Sequence, residues 1–161
     1  MLRTTVTDKV QVGWREWVAL PELEIPAIKA KIDTGARTSA LHVFELEPFQ
    51  EDGRSKVNFR LHPLQRRIDI DIHCTAQVID ERLVRDSGGH QELRLVISTI
   101  LRMGTLAWPI EITLTNREDM SFRMLLGRSA MRGRLLVDPG LSYQMGRLRR
   151  SLYASKRSTR K

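Results

Sequence analysis

The chain has 161 residues, 41% of them hydrophobic and 29% charged, which suffices for one globular domain with a packed core. No apolar run approaches the roughly 18 residues of a membrane-spanning helix, and the first residues lack the apolar stretch and cleavage site of a secretory signal. With Cys74 as the one cysteine, no disulfide can form within the chain. We therefore expect a cytoplasmic protein without membrane segments.

The formal net charge of +8 is concentrated toward the C-terminal end. Residues 147–161 hold seven basic side chains and no acidic one, which leaves 20 basic and 19 acidic residues in the rest of the chain. We therefore divide the sequence into a folded domain at 1–146 and a basic, flexible tail at 147–161. Such chain ends are most often solvated, and the alternative is a contact with RNA, the ribosome or an acidic partner.

The first half of the sequence predicts β-strands. "KVQVGWREWVAL" predicts a strand or hairpin with a bend at Gly13, and "IPAIKAKID" predicts a second short strand. Isoleucine and aspartate alternate strictly over 68–72, "IDIDI", which predicts a half-buried strand with its acids toward water.

Two hairpins and one short helix follow. "DSGGH", at 86–90, is a turn signal between two strand-like runs, and "TILRMGTLAWPIEITLT" predicts a hairpin that turns near Gly104. Pro109 favours an edge or bulged position. "RSAMRG" predicts a short helix closed by Gly133, and "LLVDPG" predicts a short strand. Many short strands separated by turns are typical of a small barrel or sandwich.

The segment "KAKIDTGARTSAL", at 29–41, raises a specific question about Asp33. Asp-Thr-Gly after a strand is an ordinary turn, because the aspartate side chain bonds the backbone two residues on and Gly35 tolerates the bend. The apolar residues on both sides, however, place the carboxylate at the end of a core strand. Burial there is costly unless the group is hydrogen-bonded or functional. Both interpretations, a turn and a catalytic carboxylate, follow from the residues.

Three phrases carry a resemblance to a known superfamily. "IDTGARTSAL" resembles the active-site signature of retropepsin-like aspartic proteases, hydrophobic–Asp–Thr–Gly–Ala–x–x–Ser/Thr. "DSGGHQELRLVI" resembles their glycine-rich flap hairpin, and "MLLGRSAM" resembles their apolar–apolar–Gly–Arg segment before a late helix. More specifically, "DTGARTSALH", "PIEITLTNREDM" and "MLLGRSAM" are similar to a bacterial branch associated with RimK-type glutamate ligases, often labelled ATP-dependent zinc proteases. The resemblance covers residues 25–138.

The resemblance implies a mostly β, small closed barrel of the retropepsin (acid protease) fold with one short late helix. It also implies peptide-bond hydrolysis by two facing aspartates that share one proton, because two carboxylates in contact do not both ionise easily. One aspartate activates a water, and the other protonates the scissile carbonyl oxygen. Since Asp-Thr-Gly occurs once and Asp86 of "DSGG" falls in the flap, the resemblance implies a homodimer in which each copy contributes Asp33.

The site residues are carried over from the matching motifs. The catalytic set implied is Asp33, Thr34 and Gly35, with Thr34 bracing the two loops through its hydroxyl and Gly35 allowing close approach. The substrate-binding set implied is Ala36, Arg37, Gly88, Gly89 and Arg128.

Arg37 departs from the family pattern, which commonly has an acid there that pairs with the arginine after the late glycine. Arg37 and Arg128 therefore need other acids, for which Asp138 and Glu118 are candidates. Alternatively, the two arginines hold an acidic substrate, since guanidinium groups bind carboxylates in bidentate geometry.

No metal or cofactor site is predicted. The histidines at 42, 62, 73 and 90 have no His-x-x-x-His spacing and form no His-Glu-x-x-His motif, and no phosphate-binding loop is present. We therefore expect neither a metal nor a cofactor, although a metal-dependent peptidase is what the family label would imply.

The leading hypothesis is a homodimeric aspartic endopeptidase that cleaves a peptide or protein, with glutamate-modified proteins as one substrate class. The alternative is a non-catalytic adaptor of the same fold. It would bind a glutamate ligase, a ribosomal protein or an acidic tail, in part through the basic tail.

Overall fold

The computed structural model describes residues 8–85, 88–117, 121–148 and 150–153. Within these ranges the chain is mostly β, and no helix there is long and apolar enough to cross a membrane. The strands are β1 (Val10–Val12), β2 (Arg15–Leu20), β3 (Ile25–Ile32), β4 (Ser39–Val43), β5 (Glu45–Glu51), β6 (Arg54–Leu61), β7 (Ile72–Gln77), β8 (Asp80–Arg85), β9 (Gln91–Met103), β10 (Leu106–Asn116), β11 (Met124–Leu126) and β12 (Leu135–Val137), and the helix is α1 (Arg128–Met131).

Six strands close into a barrel. They follow the order β10, β4, β11, β3, β2, β9, and pairing between β9 and β10 completes the ring. Two of these contacts are parallel, β3 with β11 and β4 with β10, and the others are antiparallel. The predicted mostly β closed barrel with one short helix is confirmed.

The apolar core fills the barrel. It is formed by inward-facing residues that alternate with outward polar ones along the strands, which is the pattern expected of a half-buried strand. Side chains with no exposed surface include Leu20, Ile28, Leu41, Ile97, Leu101 and Ile112. A three-stranded sheet of β5, β6 and β7 and a parallel pair of β1 with β12 flank this barrel.

Both predicted hairpins are present. β8 and β9 pair up to Arg85 and Gln91, on either side of the turn that contains Gly88 and Gly89. β9 and β10 turn between Met103 and Leu106.

Pro109 occupies the edge position that its missing N–H requires. It is exposed and lies on β10 before Ile112, where pairing with β4 begins. The short helix, its closing Gly133 with φ +80°, and the strand at "LLV" are also confirmed.

The strand predicted from the alternation at 68–72 is wrong. β7 begins only at Ile72, and Ile68 is 69% exposed. The aspartates of the segment form ion pairs instead, Asp69 with Arg67 and Asp71 with Arg60. The segment is a loop that contacts β6 through the pair of Asp71 with Arg60.

The bend predicted at Gly13 separates two sheets. β1 pairs with β12, whereas β2 belongs to the barrel. A Cβ atom at Gly13 would lie 2.0 Å from the Leu141 carbonyl oxygen, so only glycine fits where the C-terminal segment crosses. Residues 141–145 then run against β2.

Part of the predicted tail packs on the barrel. Leu148 lies against the core, and a single 3-10 turn at Arg150–Tyr153 buries Tyr153 completely. The Tyr153 hydroxyl bonds the backbone of Ala27 in β3. Residues 154–161, which carry four of the seven basic side chains of the predicted tail, lie outside the described residues.

Candidate active site

Asp33 directly follows the last residue of β3. β11 runs parallel to β3 with Leu126 beside Ile32, and the Asp33 N–H continues this ladder by donating to the Leu126 carbonyl at 2.9 Å. The Asp33 Oδ1 atom accepts the Gly35 N–H at 3.0 Å, and the Ala36 N–H donates to the Asp33 carbonyl at 3.2 Å. The turn interpretation of Asp-Thr-Gly is therefore confirmed, and the turn itself orients the carboxylate.

The Asp33 carboxylate lies at the surface of the single chain rather than in the desolvated corner expected from its apolar neighbours. Asp33 is half-buried, and both Thr34 and Gly35 are exposed. Among the described residues, no acidic or basic side chain forms a hydrogen bond or ion pair with this carboxylate. Within the described residues, no second carboxylate of the same chain is bonded to Asp33.

The segment that follows β11 holds the loop after Asp33. The N–H groups of Arg128 and Ser129 donate to the carbonyls of Ala36 and Arg37, at 2.8 and 3.0 Å. The Arg128 guanidinium donates to the Thr34 carbonyl at 3.0 Å. The structure thus brings together two of the motifs singled out in the sequence, "DTGAR" and "GRS".

Gly127 and Ser39 make this contact possible. A Cβ atom on Gly127 would lie 2.6 Å from the Thr38 carbonyl carbon, so the two backbones cross at a distance that only glycine permits. The Gly127 N–H donates to Ser39 Oγ at 3.0 Å, and Thr113 Oγ1 donates to the Ser39 carbonyl at 3.0 Å. Ser39 is the Ser/Thr residue at the end of the sequence signature, so the sequence already marked this position as part of the site.

Asp138, one of the two candidate acidic partners, does not pair with either arginine. Asp138 accepts the N–H of Gly140 at 2.9 Å and pairs with neither Arg37 nor Arg128, so that prediction is wrong. Glu118, the other candidate, lies outside the described residues. Arg37 and Arg128 are exposed and, within the part of the chain that the structure describes, neither forms an ion pair.

Gly88 and Gly89 belong to a different element from the Asp33 loop. Both are exposed at the turn between β8 and β9, and Gly89 has a φ of +88°, which favours glycine. Their assignment to substrate binding stays a prediction. Asp86 lies outside the described residues.

The histidines and the cysteine are dispersed over the fold. His42 is buried in β4, His73 is exposed on β7, and His62 stacks on Phe44 with ring centroids 4.2 Å apart. Over the described ranges, no three His, Cys, Asp or Glu side chains come close enough to hold a metal ion.

A family model matches residues 11–147, and its description is "Retropepsin-like aspartic endopeptidase RimB". The matched range contains the Asp33 loop, the β8–β9 hairpin and α1. The chain belongs to the RimB-like family. In this RimB-like chain, the resemblance stated from the sequence is therefore confirmed.

Relatives of this RimB-like chain carry a different name. Proteins named "Probable alpha-L-glutamate ligase" from Parasynechococcus marenigrum and Shewanella pealeana are 48% and 45% identical to it, over 96% and 86% of its length. The matches cover only 34% and 30% of those relatives, so the chain spans about a third of their length.

A solved structure shares the fold. The protein Lpg0085 from Legionella pneumophila, described as having unknown function, aligns with a TM-score of 0.70 at 23% identity. The alignment covers 84% of this chain and 98% of the Legionella chain. At that identity the likeness supports the fold alone.

Sequence reasoning missed the residues that surround the end of β3. The Trp14 carbonyl accepts the Ile32 N–H at 2.8 Å, immediately before Asp33, and Arg15 is the cross-strand neighbour of Lys31. These neighbours could have been anticipated from "KAK" before "IDTG", because that alternation places two lysines on the outer face of β3.

Proposed function

We propose that this RimB-like protein is an aspartic endopeptidase in which two copies of the chain each contribute Asp33. The observation that carries the proposal is the Asp33 carboxylate itself. It stands half-exposed at the end of β3, with one oxygen held by the Gly35 N–H. Each chain supplies one such group, and the chemistry of the family needs two.

The proposed reaction divides the work between two Asp33 carboxylates that share one proton. The ionised carboxylate takes a proton from a water molecule, whose oxygen attacks the carbonyl carbon of the peptide bond. The protonated carboxyl gives its proton to the carbonyl oxygen as the tetrahedral intermediate forms. Collapse of this intermediate breaks the C–N bond: the carboxyl that took the water proton gives it to the leaving nitrogen, and one hydroxyl of the intermediate returns its proton to the other carboxylate.

The backbone around Asp33 supports this role. Because the Gly35 N–H binds Oδ1, the Oδ2 atom remains available for water or for the second carboxyl. Thr34 is exposed next to Asp33, as a hydroxyl that bonds a two-fold related copy has to be. Arg128 holds the Thr34 carbonyl and thereby limits motion of the loop.

The proposed substrates are proteins that carry glutamate residues added after synthesis. The names of the relatives, "Probable alpha-L-glutamate ligase", support this class of substrate. Two exposed arginines beside the site, Arg37 and Arg128, lack acidic partners among the described residues. Guanidinium groups of this kind bind carboxylates well.

Subunit mixing tests the two-chain site. Asp33→Asn should abolish cleavage without unfolding the protein, whereas Asp52→Asn, in an exposed turn, should leave activity unchanged. The Asp33→Asn chain is mixed with the parent in roughly nine-fold excess, and the subunits are allowed to exchange. Random pairing then joins about one parent chain in ten to another parent chain, so about one-tenth of the parent activity should remain at saturating substrate. Parent activity that is unaffected by the excess would show that a single chain is sufficient.

A second candidate is an adaptor that binds a glutamate ligase without catalysis. Its support is that the ligase-named relatives contain a segment like this chain within a longer protein. Asp33→Asn separates the candidates. An adaptor would keep all of its cellular effect in this variant, and an endopeptidase would lose it.

A further inference from the structure

A second group of cations, without acidic partners among the described residues, lies beside β3, the strand that ends at Asp33. Arg15 from β2, Lys29 from β3 and Arg66 from the loop before β7 line a cavity of about 340 Å³, together with the rings of Trp17 and Phe122. We call this cavity, defined by Arg15, Lys29 and Arg66, the basic pocket. Its size is within the range of pockets that hold small ligands or side chains.

Aromatic rings hold two of the cations in place. The Arg15 guanidinium carbon lies 4.6 Å from the Trp14 ring centroid and 4.8 Å from that of Tyr143. The Lys29 Nζ atom lies 5.3 Å from the Trp17 centroid and 5.6 Å from that of Tyr143. Cation–π contacts attract a cation without neutralising it. Arg15 Nε donates to Ser142 Oγ at 3.2 Å, so the Lys29 ammonium and the terminal N–H groups of Arg15 are the donors that remain available to an anion.

No protein carboxylate balances this charge within the described residues. The pocket lining contains no acidic side chain, and Arg15, Lys29 and Arg66 form no ion pair there. Glu16 is adjacent in sequence, but its two oxygens are bound to backbone N–H groups. Elsewhere on the surface, arginines do pair with acids, as at Arg60, Arg67, Arg82 and Arg94.

The backbone conformation at the pocket has an energetic cost. Arg66, which lines it, has a φ of +60°, and Tyr143, which contacts two of its cations, has a φ of +54°. Non-glycine residues in this region are held by their surroundings and tend to gather at ligand sites. Within the described residues, the pocket therefore combines uncompensated charge with backbone strain.

Strand geometry relates the pocket to Asp33. Ala30 and Ile32 point into the core, so Lys29 and Lys31 lie together on the outer face of β3. Arg15 is the cross-strand neighbour of Lys31. With a rise of about 3.3 Å per residue, Lys31 is about 7 Å and Lys29 about 13 Å from Asp33 along the strand. A peptide that runs in extended conformation from Asp33 along this face has the same rise per residue as the strand. Its second to fourth residues, counted from Asp33, therefore lie beside the pocket.

We propose that the basic pocket is a subsite that binds carboxylate side chains of an extended acidic peptide, two to four residues from the bond cleaved at Asp33. The inference rests on the proposed endopeptidase function. Nucleic acid is disfavoured because Arg15 and Lys29 occupy the ring faces on which bases would stack. Carboxylate and phosphate oxygens are both anionic acceptors for arginine and lysine N–H groups, and the experiment distinguishes the two.

Binding is measured on the Asp33→Asn protein, so that cleavage plays no part. The probes are fluorescently labelled hexapeptides of glutamate, of glutamine and of phosphoserine, with a labelled hexauridine for comparison. The test variant adds Lys29→Gln and Arg66→Gln. The matched control adds Arg54→Gln and Arg102→Gln, two exposed arginines on β6 and β9.

The glutamate peptide should bind in a salt-dependent manner and the glutamine peptide should not. The test variant should weaken glutamate binding about tenfold or more, and the control less than about threefold. Binding should also change the emission of the tryptophans, because Arg15 and Lys29 lie on Trp14 and Trp17.

Equal losses in the test and control variants, or none in either, would overturn the subsite. Tighter binding of phosphoserine than of glutamate would overturn the carboxylate assignment, and tighter binding of hexauridine would assign the pocket to RNA. If the parent cleaves no peptide but binding still depends on the pocket, the endopeptidase proposal fails while the binding site stands.

Discussion

The buried Glu16 carboxylate accepts the main-chain N–H of Gln144 at 2.9 Å, although the two residues are 128 positions apart. The same side chain accepts the N–H groups of Gly13 at 2.7 Å and of Met145 at 2.9 Å. It therefore fastens the C-terminal segment to the start of β2. Tyr143, which contacts Arg15 and Lys29 of the basic pocket, belongs to this segment.

Replacing Glu16 by glutamine should destabilise the fold. Glutamine offers one acceptor oxygen, and its NH2 group would face N–H donors, so at least one buried N–H loses its partner. We expect the free energy of unfolding to fall by about 2–4 kcal/mol, measured by urea denaturation. Glu47→Gln, on exposed β5, is the control and should change it by less than about 0.5 kcal/mol. A Glu16→Gln protein as stable as the control would show that the carboxylate is dispensable.

Tyr153→Phe should remove the hydrogen bonds between the hydroxyl and the Ala27 backbone, at a cost of about 1–3 kcal/mol. Burial raises the pKa of Tyr153, while the Ala27 backbone partly opposes that shift. Because the pKa is higher in the folded state, the tyrosine contribution is complete below about pH 10 and is lost as pH rises further. Parent stability should therefore fall more steeply than that of Tyr153→Phe above this pH. Parallel stability curves would contradict the assignment.

Gly127→Ala should separate β11 from the loop after Asp33. The new Cβ atom would meet the Thr38 backbone at 2.6–2.8 Å, and backbone atoms cannot move aside cheaply. We expect a loss of about 1–3 kcal/mol of stability from overpacking, with a loss of peptide cleavage. Gly140→Ala is the control, because its nearest neighbour is the Asp138 side chain at 3.4 Å. Comparable melting temperatures for the two variants would refute the close crossing.

Arg128→Gln should affect turnover more than stability. The Arg128 side chain is exposed, and its bond to the Thr34 carbonyl fixes the loop that carries Asp33. We expect stability within about 0.5 kcal/mol of parent and a several-fold lower kcat, together with a higher KM because Arg128 is also proposed to bind a substrate carboxylate. Arg132→Gln, at the end of α1, removes a nearby exposed charge and should leave kcat unchanged. An equal fall in kcat for both variants would indicate a general charge effect.

Local sequence signals predicted the elements that depend on local conformation. Gly104 and Gly133 have φ values of +61° and +80°, and both were predicted as turn or helix-end positions. The Asp-Thr-Gly turn is equally local, since Asp33 Oδ1 binds the N–H two residues on. The superfamily resemblance then supplied the closed barrel, which no short segment specifies.

Features that join distant residues escaped prediction. The alternation at 68–72 imitates a strand, but pairing with β6 begins only at Ile72, and Asp71 forms an ion pair with Arg60. The Tyr153 contact with Ala27 spans 126 positions, and nothing in the basic terminal sequence marks it. The basic pocket likewise combines side chains from β2, β3 and the loop before β7.

The crossing of residues 126–129 over the Asp33 loop constrains when the site can form during synthesis. Asp33 is held by the Leu126 carbonyl, and the carbonyls of Ala36 and Arg37 are held by Arg128 and Ser129. Contacts between such distant positions form only after the intervening chain is available. A growing chain on the ribosome therefore carries its aspartate long before it has an ordered loop, and the proposed site forms only after residues 126–129 have been made.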